Sequence, residues 1–184
     1  MKRVVPLGVI SVFILSLILY MSGCAGETEE KIAKVPEDFS FSLVWDVNGI
    51  SSYDSASGKL IKTSDSTHPE DYITVFDLPD SAKEEIYELL VEEINIFNYP
   101  TIYDPFAKAN GEPGVMSEPN QDVVLNITCN GEQKTVKCND ITWGHNYCVT
   151  KEGKRFIKAI EKITDYLTTT PEWEALPEYE FFYD

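Results

Sequence analysis

VVLNITCNGEQKTVKC, residues 123–138, is two runs of residues joined by Asn130-Gly131. In the first run Val123, Leu125, Ile127 and Cys129 take every second position, with Val124, Asn126 and Thr128 between them. Successive side chains of a strand point to opposite faces, so this run presents one apolar face and one more polar face. Asn-Gly is favoured in a two-residue hairpin because both central residues need a positive φ. A two-residue turn also fixes the register: Cys129 falls opposite Glu132, and Cys138 opposite Val123. The two cysteines then share a face at opposite ends of the hairpin, too far apart to bond to each other.

The same period governs the start of the domain. Phe39, Phe41, Leu43 and Trp45 alternate with Ser40 and Ser42, and Asn48-Gly49 supplies a second tight turn into residues 50–54. Ser57-Gly58 marks a further turn before residues 59–63, and residues 72–76 are again rich in strand formers, so a meander of four short strands is predicted. After Leu78-Pro79-Asp80 the period changes. Ala82, Ile86, Leu89, Leu90, Ile94 and Phe97 recur at helical spacing, which predicts a helix over 81–97 with Asp80 as its N-cap and a stop before Pro100.

Residues 98–121 form a 24-residue connection punctuated by Pro105, Gly111, Pro113, Gly114 and Pro119. Connections beyond roughly 12–15 residues in a small domain tend to be functional or disordered. It is the first place to expect a binding loop. Residues 141–150 are expected to add one more strand. A second helix is predicted from Lys151, with Phe156, Ile160, Ile163 and Leu167 spaced by four, three and four. The tail PEWEALPEYEFFYD from Pro171 is acidic and aromatic, and is expected to lie as an extended arm along the sheet or the helices, with a partner-binding tail as the alternative. Together these elements predict an α+β domain: an antiparallel meander and hairpin forming one sheet, with two helices packed on one face.

The N-terminus carries a different signal. Lys2 and Arg3 precede an apolar run from Val4 to Tyr20, and Met21-Ser22-Gly23-Cys24 follows. A charged start, an apolar stretch and small residues before a cleavage point make an export signal. The run is seventeen residues long, at the short edge of what spans a bilayer, so an uncleaved anchor is the alternative. The expected division is a signal over 1–23, a polar tether over 24–38 and one domain over 39–184. Extended at about 3.3–3.6 Å per residue, the tether reaches on the order of 45 Å.

Charge and cysteines bound the partners. The whole chain carries 15 Lys+Arg against 31 Asp+Glu, and only Lys2 and Arg3 of these precede Cys24, leaving 13 cations, 31 acids and a net −18 beyond the signal. That balance argues against nucleic acid, whose phosphates it would repel. With Cys24 assigned to the signal, Cys129, Cys138 and Cys148 remain, and an oxidising compartment permits one disulfide. Cys138 with Cys148 is the expected pair, on proximity in the chain.

The Met21–Cys24 segment resembles the lipobox of bacterial lipoproteins, which implies diacylglycerol on the Cys24 sulfur and attachment to the outer face of the cytoplasmic membrane. Further markers lie in Gly49-Ile-Ser-Ser-Tyr53-Asp54, Glu85-Ile86-Tyr87, Ile96-Phe-Asn-Tyr99-Pro100, the Asn130-Gly131 turn and Leu176-Pro177. In that order they resemble uncharacterised lipoproteins of Firmicutes-type bacteria, a likeness covering residue 39 to the end. It implies a fold and a location, and no activity. Cysteines stand here in place of the aromatic residue usual near the Asn130 hairpin.

Few residue sets could carry chemistry. Cys129, Cys138, His145 and Cys148 are nominally a zinc set, but such ligands come as close pairs and only His145-x-x-Cys148 has that spacing. No metal or cofactor is expected. A Cys148–His145 nucleophile pair lacks a visible third residue to orient it. His68 lies in a loop beside Pro69. Asp46-Val-Asn48-Gly49 starts like a calcium loop but has Ser57 where the closing glutamate belongs. No G-x-S-x-G occurs. Tyr99, Tyr103, Phe106, Trp143, His145 and Tyr147 are the residues expected to face a ligand. The expected function is non-catalytic binding of a protein, peptide or envelope component by a membrane-anchored, extracytoplasmic lipoprotein. The alternatives are a small envelope hydrolase around His145 and Cys148, and an inhibitor or immunity-type protein for a basic partner.

Overall fold

The computed structural model describes residues 35–181 except 109, 111–117, 140, 142 and 143. The expected signal, the lipidation site Cys24 and most of the tether lie outside the described residues, as does Trp143. Six strands form one antiparallel sheet: β1 (Ser40–Trp45), β2 (Ser51–Asp54), β3 (Lys59–Ile61), β4 (Ile73–Val75), β5 (Val123–Cys129) and β6 (Glu132–Cys138). Their spatial order is β4-β3-β2-β1-β5-β6. The four-strand meander therefore forms one side of the sheet, and the 123–138 hairpin adds to β1 as the other.

Register follows the turns. Asn130 and Gly131 have φ of 53° and 77°, and Cys129 faces Glu132 while Cys138 faces Val123. Asn48 and Gly49 make the second positive-φ pair, at 54° and 69°. The consequence is a row of side chains crossing five strands: Leu60, Tyr53, Leu43, Leu125 and Val136 lie side by side and are all fully buried. On the opposite face Asn126 donates to Ser42 Oγ at 3.0 Å and accepts from Thr135 Oγ1 at 2.8 Å, a polar ladder open to solvent.

Helices cover the apolar face. Helix α1 (Asp80–Tyr87) and helix α2 (Lys151–Thr168) contribute Ile86, Phe156, Ile157, Ala159, Ile160, Ile163 and Leu167 to the same buried cluster as the sheet. Thr150 caps α2 by accepting from Gly153 N at 2.9 Å, which satisfies one of the free amides of its first turn. Among the described residues no helix is long and apolar enough to cross a membrane.

Four expectations are corrected. The first helix does not run unbroken over 81–97: Pro79 is its N-cap, with Asp80 inside, and from Glu88 to Glu93 it widens into a π-helix. Ile94 N reaches back five residues to Leu89 O, and Asn95 at φ 53° then ends the helix. Leu89, Leu90 and Ile94 are buried along this segment, and Ile96 just beyond it. Among the described residues of 141–150 there is no strand; His145–Tyr147 form a 3-10 turn entered through Gly144 at φ 66°. The tail is not extended from its start but forms a short helix α3 (Pro171–Glu174), capped by Thr170. Finally, the fold begins before Phe39: Val35 packs on the core and Asp38 accepts hydrogen bonds from Asn130 N and Gly131 N.

Candidate functional site

The residues expected to face a ligand divide into three groups. Tyr99 and Phe106 are core: Tyr99 packs at 4.9 Å from Tyr103 and 5.3 Å from Phe156, and Phe106 is 1% exposed. Burial pushes the Tyr99 hydroxyl up to about 12 and raises that of Tyr103 as well, so both stay neutral phenols. Tyr103, half-buried, holds the start of the 98–121 connection against β6, where its N donates to Lys137 O at 2.9 Å. That segment pairs with the sheet edge instead of standing off as a loop. His145 and the exposed Tyr147 sit together on the 3-10 turn.

His145 is held from two directions. Its N donates to Glu161 Oε1 at 3.1 Å, and its Nδ1 lies 2.6 Å from Glu161 Oε2. Glu161 projects from α2, so the pair clamps the 144–148 turn onto that helix. Beside it is a cavity of about 160 Å³ lined by Trp45, Asp46, Gln121, Gly144 and Glu161. Ile141 N donates to Gln121 O at 3.0 Å, so the end of the long connection and this turn do meet.

A histidine oriented by a carboxylate is the form of a general base. Among the described residues the neighbouring groups do not complete a catalytic set. Burial, and then the charge of Glu161, push the Cys148 thiol up to about 11, opposite to what an attacking thiolate requires. Asp46 is already occupied, with Oδ1 accepting from Val47 N and Oδ2 from Ser51 Oγ and Tyr179 OH. Cys129, Cys138 and Cys148 are free thiols, so the expected Cys138–Cys148 bridge is not formed. Cys138 is 1% exposed at the end of β6, on the core face, whereas Cys148 is half-buried at the end of the clamped turn. Among the described residues no three His, Cys, Asp or Glu side chains cluster in a way that could hold a metal ion.

A second site has no counterpart in the sequence expectations. A trough runs between the α1 and π-helical segment on one side and α2 on the other. Two cavities, of about 220 and 440 Å³, adjoin at Leu89 and Lys162. Ala82, Ile86, Leu89, Ile94, Ala159 and Ile163 make its apolar floor. Glu85 and Glu93 stand on one wall, and Arg155, Lys158 and Lys162 on the other. Only Lys162 reaches across, to Glu85 Oε2 at 3.6 Å.

The helix that carries this wall is unusual for this chain, although only Arg155, Lys158 and Lys162 of its cations line the trough. Of the 13 cations beyond the signal, Lys151, Lys154, Arg155, Lys158 and Lys162 fall within twelve residues. Cations in a first helical turn oppose the helix dipole, so Lys151 and Lys154 are not there to stabilise α2. The signal was present in the sequence as a stripe of basic residues three and four apart on the second helix. What the sequence could not show is that the first helix widens beside it.

Compared with protein-family models, with curated proteins and with solved structures, the chain matches none.

Proposed function

We propose that this chain is a lipid-anchored, extracytoplasmic binding protein without catalytic activity, tethered through Cys24 and engaging its partner in the trough between α2 and the α1/π-helical segment. The observation that carries the reading is the trough itself: an apolar floor beside a wall of cations, in a chain that is otherwise strongly acidic. Solvated lysines scattered over a surface need no explanation, but a basic stripe aligned with an apolar groove matches the composition of a recognition site. The anchor rests on the Met21-Ser22-Gly23-Cys24 segment. The raised Cys148 thiol weighs against the hydrolase reading.

Two measurements test this. Metabolic labelling with a palmitate analogue should mark the wild-type chain and not Cys24→Ser, and the variant should leave the membrane fraction. A photo-cross-linking amino acid placed at Lys162 should give a discrete adduct in cells, while the same group at Thr135 on the open sheet face should not. Adducts at Thr135 alone would move the partner to the sheet and end the trough reading. They would favour the inhibitor or immunity-type alternative, whose basic partner would meet the acidic remainder of the surface.

A further inference from the structure

We infer that the occupant of the trough is an acidic amphipathic helix of a partner protein, about three turns long. This rests on the trough being the binding site, and goes further by naming the partner's chemistry. The argument begins with charge. Among the described residues Arg155 and Lys158, which line the trough, have no ion-pair partner, although the chain has 31 carboxylates to offer. Unpaired cations along one wall complement an anionic group.

The floor restricts what that group is attached to. Ala82, Ile86 and Leu89 from one helix and Ala159 and Ile163 from the other are apolar, and both alanines are buried beneath the groove. A purely polar anion would leave this floor uncovered. The trough is open to solvent along its length, so an acyl chain laid in it would keep much of its apolar surface wet. A helix with one apolar stripe and one acidic face covers the floor, meets Arg155 and Lys158 at its side and leaves its third face to water. From Arg155 to Tyr166 the wall is 12 residues of α-helix, a rise of about 17 Å, which sets the length of the contact. Glu85 and Glu93 on the opposite wall repel acids there, so the acidic face of the occupant must turn toward α2.

The test uses the full-length chain in zwitterionic nanodiscs and three fluorescent 14-residue peptides. One is an amphipathic helix of leucine and glutamate, one its scrambled sequence, and one the same helix with lysine for glutamate; empty nanodiscs correct for lipid binding. The acidic amphipathic peptide should bind, and Arg155→Glu with Lys158→Glu should weaken it by roughly tenfold or more. Both positions are exposed, so the melting temperature should be unchanged. Equal binding by the scrambled peptide, binding by the lysine peptide, or indifference to the two reversals overturns the inference. So does a chain that ignores all three peptides but binds anionic vesicles through Arg155 and Lys158. In each of these cases an adduct at Lys162 in cells would still uphold the trough as the site, and its absence would remove both readings.

Discussion

Asp38 ties the N-terminal edge of the domain to a turn far along the chain: its carboxylate accepts from Asn130 N at 2.9 Å and from Gly131 N at 2.6 Å. A type I′ turn leaves such amides pointing outward, and one bidentate carboxylate satisfies both. These two bonds hold the carboxyl below its ordinary value. The sign follows from linkage: a depressed carboxylate contributes stability that is full above the unfolded pKa of about 3.9 and is lost as pH falls through the lower folded value. Hydrogen exchange at Asn130 and Gly131 should therefore lose protection as the solution is acidified below that range. In Asp38→Ala, which has no side-chain acceptor, the two amides should be equally unprotected at pH 7 and pH 3; retained protection in that variant would assign the turn's order to something else. In sequence this residue reads as tether, because a polar, acidic run carries no mark of a partner 92 residues away. Cys148 gives a second residue-scale expectation. A thiol raised to about 11 is neutral at pH 8, so iodoacetamide should modify it more slowly than free cysteine. Alkylation faster than free cysteine would revive the nucleophile reading around His145.

At the scale of elements, α2 depends on a glycine in its first turn. A Cβ on Gly153 would lie 2.0 Å from Pro105 O, a backbone atom that cannot rotate away. Two effects compete in Gly153→Ala. Alanine gains about 1 kcal/mol of helix propensity, whereas forcing a packed backbone apart typically costs about 1–3 kcal/mol. The closeness of the contact decides for the second, so urea denaturation should show a net loss of stability. A gain would mean that the 98–121 connection yields readily and does not brace the helix. Thr150→Ala should add a separate loss of about 1 kcal/mol by removing the cap. Elements carried by local pattern were legible: both Asn-Gly turns, the alternation of β1 and β5, and the helix from Lys151 hold in the structure. The π-helical widening at Glu88–Glu93 was not, because every residue in it is compatible with an ordinary helix and the spacing of Leu89, Leu90 and Ile94 fits one as well. The trough was invisible for the same reason. Its cations could be read on one helix, but its apolar floor comes from two.

For the whole molecule, the open question is whether the C-terminal tail belongs to the fold or to a partner. Trp173 stacks on Trp45 with ring centroids 5.8 Å apart and 26° between planes, and is 8% exposed. Lys62, 5% exposed, sets its ammonium 5.8 Å from the Trp173 ring and 5.4 Å from the Tyr179 ring. Farther on, Tyr72 OH donates to Glu178 O at 2.9 Å and Thr67 N to Glu180 Oε2 at 2.7 Å. The tail thus runs across the end of β1 and the β3–β4 connection, joining strands that the meander brings together with short turns. Sequence reading anticipated an arm along the sheet from the mixture of aromatic and acidic residues, but not the buried lysine that two of those aromatics enclose. Removing a buried Trp side chain costs about 3–5 kcal/mol, against a total stability of about 5–15 kcal/mol for a domain of this kind. Trp173→Ala should therefore lower the melting temperature sharply, and Lys62→Met should lower it less, by the cation–π share of about 0.5–2 kcal/mol. Truncation after Thr170 should be at least as damaging as Trp173→Ala, because it takes the Tyr179, Glu178 and Glu180 contacts as well. A truncated chain that melts at the wild-type temperature would show that the sheet closes without the tail, and would free residues 171–184 to serve as a recognition segment.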